Sequence, residues 1–335
     1  MRPDKTQLIK TLWGEKGEYV PLMELGIHPS VKDAILGRPV RSLEDDVAFW
    51  ATAGYDFIKL QPEADFHVPG YISDESITAS LTWAPETRGI IHDWADFEAF
   101  PFLKPNEINY GKFDRVRSLL PEGMGIIGQY GDIFTMSWEL MGFETFSLAL
   151  FENPDLVAAV VDRIGSTVLS MFETMVDYED VIALWYSDDI AYSTGLMISP
   201  VDLEKYFFPW LEKIGTLAKA RNKPFIYHSD GVLWDVLPEL RECGINALHP
   251  IEPRAMDIIE VREKVGRTLC LVGNIDVGEI LSRGTPEDVC RAVRRTIESV
   301  GQEGAYCCGS SNSIPDYVCL ENYRAMIDAV RSHSL

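Results

Sequence analysis

The chain has 335 residues, 46% of them hydrophobic, and a formal net charge of −22 from 52 acidic against 30 basic side chains. That acidity excludes a surface built to follow phosphate backbones or anionic lipid. No stretch approaches the roughly 18 uninterrupted apolar residues of a membrane span, and the opening "MRPDKTQLIK" lacks the apolar core of a signal peptide, so a cytoplasmic protein with neither nucleic acid nor membrane as partner is expected.

Along the chain, short apolar runs alternate with longer amphipathic stretches. The expected strands are YVPLMEL (19–25), DFIKLQ (56–61), GMGIIGQY (123–130), DVIALWYSD (180–188), KPFIYHSD (223–230), INALHPIE (245–252), TLCLVGNID (268–276) and GAYCCGSS (304–311). The stretch 61–113, rich in proline, aromatic and acidic residues, is too long for an ordinary loop and is expected to fold over one end as a lid. Helical patterns cover Pro200 to Ala220, Trp234 to Cys243, Asp257 to Val265 and Pro286 to Val300, the last opened by Thr285 as N-cap and Pro286 as first helical residue.

Strand alternating with helix implies a parallel sheet, and eight such units suit a closed α/β (β/α)8 barrel of about 250 residues plus insertions. A single domain over 1–335 is expected, with 61–113 inserted over the barrel mouth. An open doubly wound sheet would carry a glycine-rich phosphate turn after its first strand, where this chain has "GIHPSVKDAILG". All six cysteines lie in the last third with no CxxC pair, a pattern of reduced thiols rather than a disulfide framework.

In such a barrel the reacting groups come from the C-terminal strand ends. In chain order those ends carry Glu24; Lys59 and Gln61; Gln129 and Asp132; Ser187, Asp188 and Asp189; His228 and Asp230; His249 and Glu252; Asn274 and Asp276; and Ser310, Ser311 and Asn312. Each has a plain structural explanation, since Asp230 or Asp276 can cap a helix and Asp188 can bond loop amides. Together they are harder to dismiss. Grouped carboxylates repel one another and are costly to desolvate, a cost that acid/base or metal chemistry explains. Alternate strand residues face opposite ways, so His228 and Asp230 share a face, as do Asn274 and Asp276, whereas Asp188 and Asp189 diverge and Asp189 is expected to point inward. His249, followed by Pro250, is expected to be a packed histidine.

The stretches "YSDDIAYSTGLMISPVDLEKYFFPWLEKI", "KPFIYHSDGVLWDVLPELRECGINALHPIEP", "LCLVGNIDVGEILSRGTPEDV" and "GSSNSIPDYVCLENYRAMIDAV", with weaker "YVPLMELG", resemble the uroporphyrinogen decarboxylase superfamily over most of residues 180–330. That resemblance implies the same barrel. Decarboxylase members carry an arginine-rich stretch after the first strand and a histidine in the last strand's loop; here "MELGIHPSV" and "GSSNSI" have neither. Thiol-directed methyltransferase members bind zinc through His-x-Cys after the fifth strand and a later cysteine. His228 matches that histidine, Asp230 stands in place of the first cysteine, and Asn312 occupies the place of the second.

Replacing soft thiolates by nitrogen and oxygen donors suits work on oxygen or nitrogen groups. The resemblance therefore implies a methyltransferase that demethylates a small methoxylated or methylated compound, with the corrinoid carried by a separate corrinoid protein, because the chain lacks the D-x-H-x-x-G segment that ligates cobalt. Glu24, Asp189, His228 and Asp230 are the expected catalytic cluster, and zinc at His228 and Asp230 stays an open alternative to acid/base work. Asn274, Asn312, Gln129, Trp185 and Tyr186 are the expected substrate contacts. Phe66, Tyr71, Trp83, Trp94 and the aromatics of "FTMSWELMGF" suit an aromatic substrate or simply close the barrel end. The rival reading is a cofactor-free carboxy-lyase, which would need cationic clamps such as Lys59, Arg88 and Arg254.

Overall fold

The computed structural model describes residues 2–68 and 89–333. Its centre is a curled parallel sheet of seven strands. These are β1 (Phe57–Leu60), β2 (Gly125–Gly131), β3 (Val181–Ser187), β6 (Phe225–His228), β7 (Ala247–His249), β8 (Cys270–Ile275) and β9 (Tyr306–Ser310), paired in that order. A two-residue hairpin, β4 (Ala191–Tyr192) with β5 (Gly195–Leu196), rises after β3. Every residue of β2, β3, β6, β7, β8 and β9 is buried, as a parallel sheet covered on both faces requires.

Seven of the eight expected strands are present. The expected first strand, 19–25, is not a strand of the sheet: it meets β9 in an isolated parallel bridge, Leu22 with Cys308. Cys308 N–H donates to Pro21 O at 2.9 Å and Met23 N–H to Cys308 O at 2.8 Å. Pro21 has no N–H to offer a ladder, which interrupts pairing in the middle of the run.

The helices follow their caps. Thr285 and Asp288 form a reciprocal capping box at the start of Pro286–Thr296, and Asp257 caps Ile258–Val265. The expected helix over 200–220 runs as Pro200–Asp202, a wider π turn at Leu203–Phe207, and Phe208–Ala220. The wider turn accommodates Pro209, which lacks the N–H for a bond one α-turn back. The 22-residue helix Pro154–Met175 packs behind β2. No helix of the described residues is long and apolar enough to cross a membrane.

Of the expected lid, Tyr71, Trp83 and Arg88 lie outside the described residues. Its described parts include the helices Trp94–Ala99 and Gly111–Val116 and a 3-10 turn, Pro105–Glu107. Trp94, Phe97, Phe102 and Phe100 form a chain of ring contacts there.

Candidate active site

The C-terminal ends of β3 and β6 lie side by side, with Ser187 opposite His228. The backbone continues past both ends and turns Asp189 and Asp230 towards the His228 ring. One ligand atom from each of Asp189, His228 and Asp230 lies within 4.8 Å of the others. His228 Nε2 is 3.6 Å from Asp189 Oδ1, and that oxygen accepts the Asp230 backbone N–H at 2.7 Å. Asn312, just beyond β9, donates from Nδ2 to Asp230 Oδ2 at 2.5 Å. Asp230 Oδ1 is buried without a hydrogen-bond partner among the described residues.

Burial dominates the electrostatics. It pushes the Asp230 carboxyl well above the usual carboxylate range, with the charges of Asp189 and Glu252 adding to the push and Asn312 opposing it. Burial also pushes His228 down, against the favourable charge of Asp189. A neutral carboxyl can donate a proton and a neutral imidazole can accept one, or bind a metal through its lone pair. A cation among the three groups would reverse the Asp230 shift, because an opposite charge favours the carboxylate.

His228 and Asp189 open onto a cavity of about 250 Å³, whose wall includes Trp50, Lys59, Gln61, Gln129 and Asp132. This is smaller than the roughly 300–1,000 Å³ common for ligand pockets, so a small substrate fits best. Gln129 is the hub of the polar wall. Its Nε2 donates to Ser187 Oγ at 2.9 Å, and its Oε1 accepts from Gln61 Nε2 and, at 3.5 Å, Lys59 Nζ.

The other expected residues are placed differently. Asp188 and Asp189 diverge as alternation demands: Asp188 accepts from Phe134 N at 2.6 Å, Thr135 N at 3.0 Å, Thr135 Oγ1 at 2.8 Å and Tyr186 Oη at 2.7 Å. Glu24 is fully buried and bonded to Ser310, through N at 2.8 Å and Oγ at 2.6 Å; it is neither on the cavity wall nor in the three-residue group. Trp185 and Tyr186 are also fully buried and off that wall, since both faces of β3 are covered. Asn274 donates to Ile251 O at 3.1 Å and lines a separate cavity with Met256 and Arg295.

Among the expected aromatics, Phe66 packs on Tyr130 and Trp94 on Phe97, and neither lines the cavity wall, where Trp50 is the aromatic present among the described residues. Arg254 pairs with Glu279 at 3.0 Å. The contribution of His249 was not legible in its own neighbourhood. It pairs with His228 across the β6–β7 register, a signal visible only once the two strands are aligned.

The donor set is one imidazole nitrogen and two carboxylates. Cys307 and Cys308 are buried within β9, and no thiol belongs to the group found among the described residues. The orphaned Oδ1 of Asp230 and the mutual spacing fit a divalent cation of the zinc type, whose bonds to nitrogen and oxygen are about 2.0–2.2 Å.

With the parallel α/β architecture and the strand-end site in place, the family can be given: it is uroporphyrinogen decarboxylase (URO-D). Its pattern matches residues 83–333, and the chain belongs to it. Among relatives, the chain is 25% identical over 314 residues to the methylcobamide:CoM methyltransferase MtbA of Methanosarcina mazei, covering 85% of this chain and 90% of that one. It is 25% identical over 224 residues to the methylated-thiol–coenzyme M methyltransferase of the same organism, and 21% identical over 231 residues to the uroporphyrinogen decarboxylase of Dechloromonas aromatica. The matches cover 66% and 65% of this chain and span 57% and 62% of those two relatives. A solved methyltransferase from Methanosarcina mazei superposes with a TM-score of 0.71 over 99% of both chains at 18% identity, which establishes the shared fold.

Proposed function

We propose that this protein is a corrinoid-dependent methyltransferase that removes a methyl group from oxygen or nitrogen of a small compound. The observation that carries the reading is the donor set: His228, Asp189 and Asp230, without a thiol, beside a small acidic cavity. A soft thiolate set suits a thiol substrate, whereas this set suits an oxygen or nitrogen leaving group. The relatives named methylcobamide:CoM and methylated-thiol methyltransferases support methyl transfer as the chemistry.

A reduced corrinoid on a separate protein would supply the nucleophile that takes the methyl group, leaving the C–O or C–N electron pair on the heteroatom. This chain must neutralise that heteroatom. Burial and its acidic neighbours disfavour the charge of Asp230, which suits it to deliver a proton, and Asn312 and the Asp230–Asp189 backbone bond keep its carboxyl beside His228. Were a divalent cation bound by His228, Asp189 and Asp230, it would supply a Lewis acid at the same place. Gln129, Gln61 and Lys59 orient the substrate's polar atoms.

The cavity wall carries Asp46, Asp132, Asp188 and Asp189 against Lys32 and Lys59, and Lys32 is paired with Asp46 at 2.7 Å. A polycarboxylate would meet like charge there, which argues against the carboxy-lyase reading. The test is to mix the protein with a cob(I)alamin-bearing corrinoid protein and a panel of O-methyl, N-methyl and S-methyl compounds, following methylcobalamin absorbance. Transfer from an O- or N-methyl donor is expected, reduced about 100-fold or more in His228→Ala and Asp230→Asn. No transfer from any donor, with carbon dioxide released from a porphyrinogen, overturns the reading.

A further inference from the structure

The end of β7 sets a second imidazole behind the first. His228 and His249 are register partners on adjacent strands, both are buried, and their Nδ1 atoms are 2.7 Å apart with ring centroids at 4.9 Å. Two imidazole nitrogens at that distance share one proton, so one ring donates and the other accepts. We propose that His249 is a positioning residue: its Nδ1 accepts the Nδ1–H of His228 and so holds that ring with a bare Nε2 turned towards Asp189 and Asp230. The inference rests on the reading of His228 as a working group of the site.

Two observations set the direction of this bond. In the reverse arrangement His228 would carry its proton on Nε2, facing Asp189 Oδ1, yet that separation is 3.6 Å, longer than the about 2.7–2.9 Å of a charge-assisted N–H···O⁻ bond. Asp189 Oδ1 already accepts the Asp230 N–H at 2.7 Å. The His249 ring is buried and packs edge-to-face with Trp185, centroids 5.1 Å apart at 72°.

The bond would fix the tautomer that a metal ligand or general base requires, as second-shell partners of ligating histidines do. Long-range ¹H–¹⁵N correlation spectra of the full chain, labelled with ¹⁵N-histidine and stripped of cations, test it, with zinc titration as a second readout on wild type, His249→Asn and His249→Phe. Expected are His228 protonated at Nδ1 in the wild type and in His249→Asn, whose side-chain oxygen can accept the same proton. His249→Phe should lose that tautomer and bind zinc at least about tenfold more weakly. His228 protonated at Nε2 in the cation-free wild type overturns the proposal whether or not the variants fold. So does a folded His249→Phe that keeps both the wild-type tautomer and zinc affinity. A wild type with the Nδ1–H tautomer that transfers no methyl group would retain the positioning role and remove the methyltransferase reading.

Discussion

Glu24 is a carboxyl group buried completely between the N-terminal segment and β9, with Ser310 N–H and Oγ–H as its donors. Two hydrogen bonds do not offset the loss of water, and burial pushes it from 4.5 up to about 8. Because the folded-state value is the higher one, its stabilising contribution is complete below about pH 4.5 and is lost as pH rises through about 8. Each unit is worth about 1.4 kcal/mol, so charging Glu24 costs roughly 4–5 kcal/mol. Glu24→Gln keeps an acceptor for Ser310 without the charge. Thermal melts from pH 5 to 9 should give this variant a flatter profile than the wild type and a higher Tm at the alkaline end; parallel profiles would show that Glu24 is already ionised in the folded protein below pH 5. At this scale the residue types at the strand ends were legible, and so was the divergence of Asp188 from Asp189, because alternation is local. The burial of Glu24, Trp185 and Tyr186 was not, because it depends on what covers the other face of the sheet.

Among the elements, the one most directly tied to the site is the helix Ile133–Met141, whose Phe134 and Thr135 N–H groups donate to Asp188. Asp188 thereby joins the end of β3 to the helix after β2, and burial raises its carboxyl to about 7 in spite of four donors. Asp188→Ala strands the buried Phe134 amide and the partly buried Thr135 amide, a buried donor costing about 1–3 kcal/mol. A loss of about 3 kcal/mol or more in urea denaturation is expected, and a loss below about 1 kcal/mol would mean the helix start is held by other contacts. Most elements could be read from period and caps: Thr285 and Pro286 mark a helix start through local chemistry alone. Two features escaped that reading for the same reason, a proline whose missing N–H breaks a regular ladder, Pro21 in the first run and Pro209 in the helix that opens with a wide turn.

Over the whole molecule, the N-terminal segment and β9 approach so closely that a methyl group on Gly309 would stand 1.9 Å from Met23 O. Gly309→Ala must push the segment off the strand, breaking the Met23–Cys308 and Cys308–Pro21 bonds. A destabilisation of about 2 kcal/mol or more, with faster hydrogen exchange at the Met23 and Cys308 amides, is expected; unchanged exchange there would show that the seam yields without opening. The sequence by itself determined the repeating strand and helix units, the parallel sheet they imply, and the nitrogen- and oxygen-bearing residues at the strand ends, because periodicity and residue chemistry are local properties. Only the tertiary structure decided which of those donors meet. His228 lies 21 positions from His249, and Asp230 lies 82 from Asn312; such contacts arise from the register of neighbouring strands and the curl of the sheet, which no single stretch of the chain encodes.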